Sequence, residues 1–150
     1  MAKTLTVKQR YFIRAPIGKV FASLTQPRML RRWFIASAQL SPRKGGNYTF
    51  TWHGGYHHSG KVLSYARDRT LSLSWPAFWK SKPLGMTRAT FRLKTKDDGT
   101  ILDLTHSGFR NSRPWIETYG GTCSGWAYFL TNLKSVLKQN KDLRSTYDNI

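Results

Sequence analysis

Thr87-Arg88-Ala89-Thr90-Phe91-Arg92-Leu93-Lys94-Thr95, then Asp97-Asp98-Gly99, then Thr100-Ile101-Leu102-Asp103-Leu104-Thr105-His106 is the stretch whose reading decides the fold. In the first run Ala89, Phe91 and Leu93 share one parity, and Arg88, Arg92 and Lys94 share the other. In the second, Leu102, Leu104 and His106 share one parity. Side chains alternate between the two faces of a strand, so each run reads as a half-buried strand. Asp97-Asp98-Gly99 joins them as a hairpin turn, with Gly99 expected to supply the positive φ. Hairpin spacing makes the sheet antiparallel.

The same period extends outward. Leu5, Val7, Tyr11 and Ile13 alternate with Thr6, Lys8, Arg10 and Arg14, with Gln9 interrupting the apolar set and Phe12 the polar one. Asn47 to Trp52, Gly60 to Tyr65 and Thr70 to Trp75 read as further strands. Between the first strand and the rest lie two short helical patterns. Ile17, Val20, Phe21 and Leu24 recur at helical spacing after Pro16, and Pro27 to Trp33 forms the second. The chain closes on a longer helix, with Trp126, Phe129, Leu130, Leu133, Val136 and Leu137 along one face. Its start is open: Ser112 is a candidate cap, but Gly120, Gly121 and Gly125 weaken the first half. Lys134, Lys138 and Lys141 near its end suit the helix dipole. The expectation is an α+β domain spanning residues 1–150, with about six or seven antiparallel strands and the long helix on the sheet's inner face.

At 150 residues the chain can bury a core without disulfide or metal support. Its 14% aromatic content argues against disorder. The lone Cys123 excludes an internal disulfide framework. No apolar run approaches the ~18 residues of a membrane span, and the first residues turn polar too early for a signal peptide. These features predict a soluble, cytoplasmic protein. The charge is lopsided. There are 25 Lys and Arg against 7 Asp and Glu, for a net +18, and the first acid is Asp68. A surface of this kind attracts anions. Glu117 is the only glutamate, so catalytic carboxylates are scarce.

Residues in order along the chain resemble the helix-grip proteins of the START/Bet v 1-like (SRPBCC) superfamily, and within it the group named after the activator of Hsp90 ATPase. They are Ala15-Pro16, Val20-Phe21, Thr25 with Pro27, Leu30 with Trp33-Phe34, and Gly45-Gly46 with Tyr48 and Phe50. Gly60 with Val62 and Leu71-x-Leu73-x-Trp75 follow. The most specific run is Gly99-Thr100-x-Leu102-x-Leu104-Thr105-His106-Ser107-Gly108-Phe109, and Gly125-Trp126 with Leu130, Leu133 and Leu137 completes the set. The resemblance implies a curved sheet gripping the C-terminal helix, with an apolar cavity between them. It implies no single activity, since relatives include lipid and polyketide binders, aromatase/cyclase enzymes and a co-chaperone domain. The chain departs from similar members in having no acid before its first glycine pair.

Other motifs resolve against chemistry. Gly55-Tyr56-His57-His58-Ser59-Gly60-Lys61 fits a phosphate-binding loop until Val62 stands where Ser or Thr would hold magnesium, and a strand follows rather than a helix. Gly121-Thr122-Cys123-Ser124-Gly125 resembles a nucleophile elbow, but no core strand precedes it, so Cys123 reads as a small buried residue at a helix start. His53, His57 and His58 read as a solvated hairpin tip rather than a metal site.

The function expected first is non-enzymatic binding of a small apolar or amphipathic molecule in a central cavity, with no cofactor, no metal and no catalytic residue. Its lining is expected from Tyr48, Phe50, Trp52, Trp75, Phe91, His106, Trp126, Phe129 and Leu130. His106 would be either a polar handle for the ligand or a satisfied structural group. The alternatives are a basic-surface binder of an anionic macromolecule, a co-chaperone-like protein binder, and a cyclase-like enzyme. For the anionic partner the outward face would offer Lys8, Arg10, Arg14, Arg88, Arg92 and Lys94.

Overall fold

A computed structural model describes residues 4–144. Its elements run β1 (Thr4–Ile13), α1 (Ile17–Thr25), α2 (Pro27–Leu30), β2 (Ser37–Leu40), β3 (Asn47–Thr51), β4 (His57–Ala66), β5 (Thr70–Trp79), β6 (Lys82–Lys96), β7 (Gly99–Arg110) and α3 (Trp115–Gln139). The seven strands form one sheet in the order β1-β7-β6-β5-β4-β3-β2, and each neighbouring pair is antiparallel. The helix-grip architecture expected from the alternating strands and the terminal amphipathic helix is the one found. Val7, Ile13, Leu71, Leu73, Ala89, Phe91, Leu102 and Leu104 are buried on the inner face, under Trp126, Leu130, Leu133 and Val136 of α3.

Gln9, which breaks the apolar parity of β1, has a partner on the helix. Its amide donates to the Cys123 carbonyl at 3.0 Å and its oxygen accepts from Tyr11 Oη at 2.6 Å. Tyr119 Oη donates to the Thr6 carbonyl, a second tie between β1 and α3. Buried Asn132 on α3 donates to the Trp33 carbonyl and accepts from the Leu143 amide, locking the segment after the helix against the loop after α2.

Four local expectations are corrected. First, in the Asp97-Asp98 turn Asp97 takes the positive φ, at 50°, and Gly99 does not. Gly99 is glycine for want of room: a Cβ there would sit 2.5 Å from the Ile13 carbonyl oxygen and 2.8 Å from the Phe12 ring. Second, the strands are longer than their alternation suggested. The β5–β6 hairpin runs on through Pro76 to a tight turn at Lys80 and Ser81, both at positive φ (49° and 66°). Such turns favour Gly and Asn, so Lys-Ser carries no turn signal in the sequence. Third, α3 starts at Trp115 and runs through all three glycines, so Cys123 lies well inside the helix and only partly buried. The second short helix is also briefer, ending at Leu30 before a run of turns.

Candidate functional site: an aromatic groove beside the last helix

Trp75 reaches inward from β5 and Trp126 from α3, and their ring centroids lie 5.2 Å apart. Phe34, from the loop after α2, stacks on Trp126 at 5.4 Å and meets Trp52, Phe50 and Phe129 edge-on. Tyr56 crosses Trp52 at 5.3 Å from the β3–β4 turn. Between these rings lies a groove of about 290 Å³, open to solvent and lined by Phe34, Trp52, Tyr56, Trp75, Thr122, Gly125, Trp126 and Phe129. Six of the eight are aromatic, and the other two come from one face of α3. Gly121 and Gly125 each have nothing within 4 Å of where a Cβ would stand. At Gly125, which lines the groove, the helix is therefore bare with no packing reason, although glycine in a helix interior costs about 1 kcal/mol relative to alanine.

The expected lining divides. Trp52, Trp75, Trp126 and Phe129 face the groove. Tyr48, Phe50, Phe91, Leu130 and His106 do not; they are buried behind it. Phe50 and Phe91 border an interior void of only about 10 Å³, with Phe34, Trp75 and Trp126 on its other sides. The space between sheet and helix is thus mostly filled, and the usable volume opens at the surface instead of being enclosed.

His106 is fully buried, and both ring nitrogens are engaged. Trp126 Nε1 donates to its Nδ1 at 3.0 Å, so its proton is on Nε2, which donates to Thr87 Oγ1 at 2.6 Å. Thr87 in turn donates to the Trp75 carbonyl. The ring fixes the indole of Trp126 and has no face on the groove. Burial, with a smaller contribution from His58, holds its pKa down to about 3.

His58 corrects the hairpin-tip reading. His53 and His57 are exposed, but His58 is buried in β4 among Trp52, Tyr48 and Trp75. Tyr48 Oη spends its proton on the Ser74 carbonyl at 2.5 Å, so it accepts from His58 Nε2 at 3.1 Å. That leaves Nδ1 as an acceptor facing Tyr56 Oη at 3.4 Å. Burial, then repulsion from His57, lowers the pKa of His58 to about 4. The three histidines do not converge, and among the described residues no group of three His, Cys, Asp or Glu side chains is placed to hold a metal. Gly60, in the lookalike phosphate loop, sits within β4 where a Cβ would collide with Ser74 and the Tyr48 ring.

Phe34, Tyr56, Thr122 and Gly125 were not expected at this site. Phe34 and Tyr56 lie in loops, where no periodicity marks the side that faces inward. Gly125 marked itself only as a weak helix former.

The six cations Lys8, Arg10, Arg14, Arg88, Arg92 and Lys94 are all exposed. Register places Arg10, Asp103 and Arg92 in one row across β1, β7 and β6. Arg10 grips Asp103 through two bonds of 2.6 and 3.0 Å, and this contact, with the charges of Arg10 and Arg92, holds the Asp103 carboxyl below its usual range. Arg14 pairs with Asp98 in the β6–β7 turn, an acid outside the strands and so outside their alternation. No helix among the described residues is long and apolar enough to cross a membrane.

Residues 14–138 match the family model of the Activator of Hsp90 ATPase homolog 1-like protein. Among solved structures, the chain is similar to MLL2253 from Mesorhizobium loti, at 28% identity and a TM-score of 0.79, over 91% of this chain and 99% of that one. It is similar to CalU16 from Micromonospora echinospora at 29% identity and a TM-score of 0.66, over 93% and 78% of the two chains. It shares the fold of the Aha1 dimer from Colwellia psychrerythraea, at 22% identity and a TM-score of 0.75, over 91% and 98%. No curated protein matches the chain by sequence.

Proposed function

The chain belongs to the Activator of Hsp90 ATPase homolog 1-like family, and from that premise we propose that it binds a small, flat, apolar or amphipathic molecule in the aromatic groove, without chemistry. The observation that carries this reading is the pairing of six aromatic walls with a helix that presents no side chain to the groove at Gly125. Aromatic rings favour offset-stacked and edge-to-face partners, so the walls suit a planar ligand. A volume of about 290 Å³ is at the small end of ligand sites, which points to a molecule of two or three fused rings. Thr122 and Tyr56 provide the polar groups on the lining.

A cyclase-like enzyme would need an acid or base at the ligand. No carboxylate lines the groove, and neither buried imidazole does: His106 is committed to Thr87 and Trp126, and His58 to Tyr48 and the Tyr56 hydroxyl. This favours binding over catalysis. An anionic partner on the outer face uses different residues and is compatible with a ligand inside.

The test is titration of the protein with a panel of two- and three-ring aromatics, following tryptophan fluorescence and the melting midpoint. Saturable quenching is expected, with a rise in midpoint, because a ligand that binds only the folded state stabilises it by mass action. Gly125→Leu should fill the groove and weaken binding at least about tenfold without lowering the unliganded midpoint, since leucine is the better helix former. A panel that produces neither quenching nor a shift, or a Gly125→Leu variant that binds as well as the parent, defeats the reading.

A further inference from the structure

On the side of the sheet away from α3, Lys8 and Arg10 of β1 and Arg92 of β6 border a shallow trough of about 360 Å³ over β7, with Thr105 and Asp103 at its floor. We propose that this trough and its rim form a docking face for the phosphate backbone of a duplex nucleic acid, independent of base sequence.

The geometry is set by the strands. β1 and β6 flank β7, and neighbouring strands lie about 4.8 Å apart, so two basic rows run side by side across a gap of about 10 Å. Arg88, Arg92 and Lys94 extend the second row along β6 for about 20 Å, at about 3.4 Å per residue. Arg10 is engaged with Asp103. Lys8, Arg88, Arg92 and Lys94 have no ion pair among the described residues. Thr105 and Ser107 of β7 lie between the rows, opposite Lys8 and Arg88 respectively. Arginine, lysine and hydroxyl side chains are the groups that contact phosphate and sugar without reading sequence.

Charge complementarity selects a polyanion, and the lining selects which one. Membrane binding adds burial of large apolar side chains to the electrostatic attraction. The exposed large apolar residues Tyr56, Met86 and Ile116 line no part of the trough. Single strands are held on aromatic stacking platforms. No aromatic residue lines the trough, and the nearby Phe12 ring is covered by the Arg14 guanidinium at 5.6 Å. Cations interleaved with hydroxyls, on a face long enough for several phosphates, favour a duplex backbone.

The experiment titrates the protein with a duplex of about 20 base pairs at salt from about 50 to about 200 mM; four free cations predict a slope of log K against log salt of about −3 to −4, a loss of roughly a hundredfold. The triple variant Arg88→Glu, Arg92→Glu, Lys94→Glu should lose binding at least about tenfold at the low-salt end and flatten the slope. The control triple Arg28→Glu, Arg43→Glu, Lys44→Glu changes net charge equally at exposed positions off this face. It should stay within about threefold of the parent, because the contacts are local. Circular dichroism checks that each variant folds, and the milder pair Arg88→Gln, Arg92→Gln replaces the face triple if that one melts. Equal loss in both triples would mean that net charge alone binds, and would overturn the proposal. So would no binding at low salt, tighter binding of a single strand of the same length, or binding of anionic vesicles in place of the duplex.

Discussion

His106 accepts the Trp126 N–H on Nδ1, and His58 Nδ1 accepts from Tyr56, so neither ring can take a second proton without losing a donor and charging a buried group. The consequence is acid sensitivity, and its sign follows from the pKa values. An unfolded histidine titrates near 6.5, whereas the folded values are about 4 for His58 and about 3 for His106. Above pH 6.5 neither state binds these protons, and the full stability is present. As pH falls from 6.5 toward 4 and then 3, the unfolded chain takes up protons that the folded one refuses. Stability then drops by at most about 1.4 kcal/mol per pH unit for each imidazole. Urea melts at pH 7.5 and pH 4.5 should show this loss, reduced in a His106→Gln variant. A midpoint unchanged between the two pH values would refute the assignment of both rings as buried and neutral. At this scale, His106 was legible as inward-facing from its strand parity. His58 was not, because a glycine-rich turn with three histidines gives no sign of where the strand resumes. Phe34 shows no periodic signal; its position among Phe50, Trp52, Trp75, Trp126 and Phe129 depends on a loop path that periodicity does not encode.

Two elements work against their own local preferences. In α3, Gly120, Gly121 and Gly125 each have open space where a Cβ would stand. Gly120 does not line the groove, so Gly120→Ala should stabilise by up to about 1 kcal/mol and leave ligand binding unchanged. A loss of stability would show that the open space at this position is not real. The β5–β6 hairpin turns through Lys80 and Ser81, non-glycine residues held at positive φ. Replacing them with Asn-Gly should raise stability by about 0.5–1 kcal/mol, because this turn geometry favours that pair. Thermal melts distinguish the outcomes, and a lower midpoint would argue that Lys80, which lies over the Trp79 ring at 4.6 Å, does more for the hairpin than its backbone strain costs. These two features also explain why element existence was easier to read than element extent. Alternation marks a strand only while one face is buried and the other wet. Beyond Trp75 the hairpin carries Pro76-Ala77-Phe78-Trp79, which does not alternate in that way, and it is held instead against the start of α3. Trp79 donates to Glu117, and Thr118 donates to the Phe78 carbonyl.

Among the described residues, Phe50, Trp75, Phe91 and Trp126 pack together between the sheet and α3, while Lys8, Arg10, Arg88, Arg92 and Lys94 are exposed on the outward parity of β1 and β6, with Arg14 exposed just beyond β1. The ion pairs Arg10–Asp103, Arg14–Asp98 and Arg144–Asp142 offset part of the excess of positive charge, and the first two lie at the surface. Exposed pairs contribute about 0–1 kcal/mol each, so they do little against the mutual repulsion of a chain carrying +18. The compact state concentrates that charge more than the unfolded chain does. Salt should therefore stabilise the fold: raising sodium chloride from about 10 mM to about 200 mM shortens the screening length from about 30 Å to below 10 Å, which removes repulsion between cations on different strands. The midpoint should rise by a few degrees, each kcal/mol being worth about 2–4 °C for a chain of this size. Duplex binding on the outer face should move the opposite way over the same range, since salt weakens phosphate contacts. The two signs separate the effects. If loss of duplex binding at high salt came from unfolding, the midpoint would fall with it; a midpoint that rises while binding disappears places the salt sensitivity at the interface. A midpoint that falls with added salt would mean that attractive pairs outweigh the repulsion, and that the excess charge is less costly to the fold than its distribution implies.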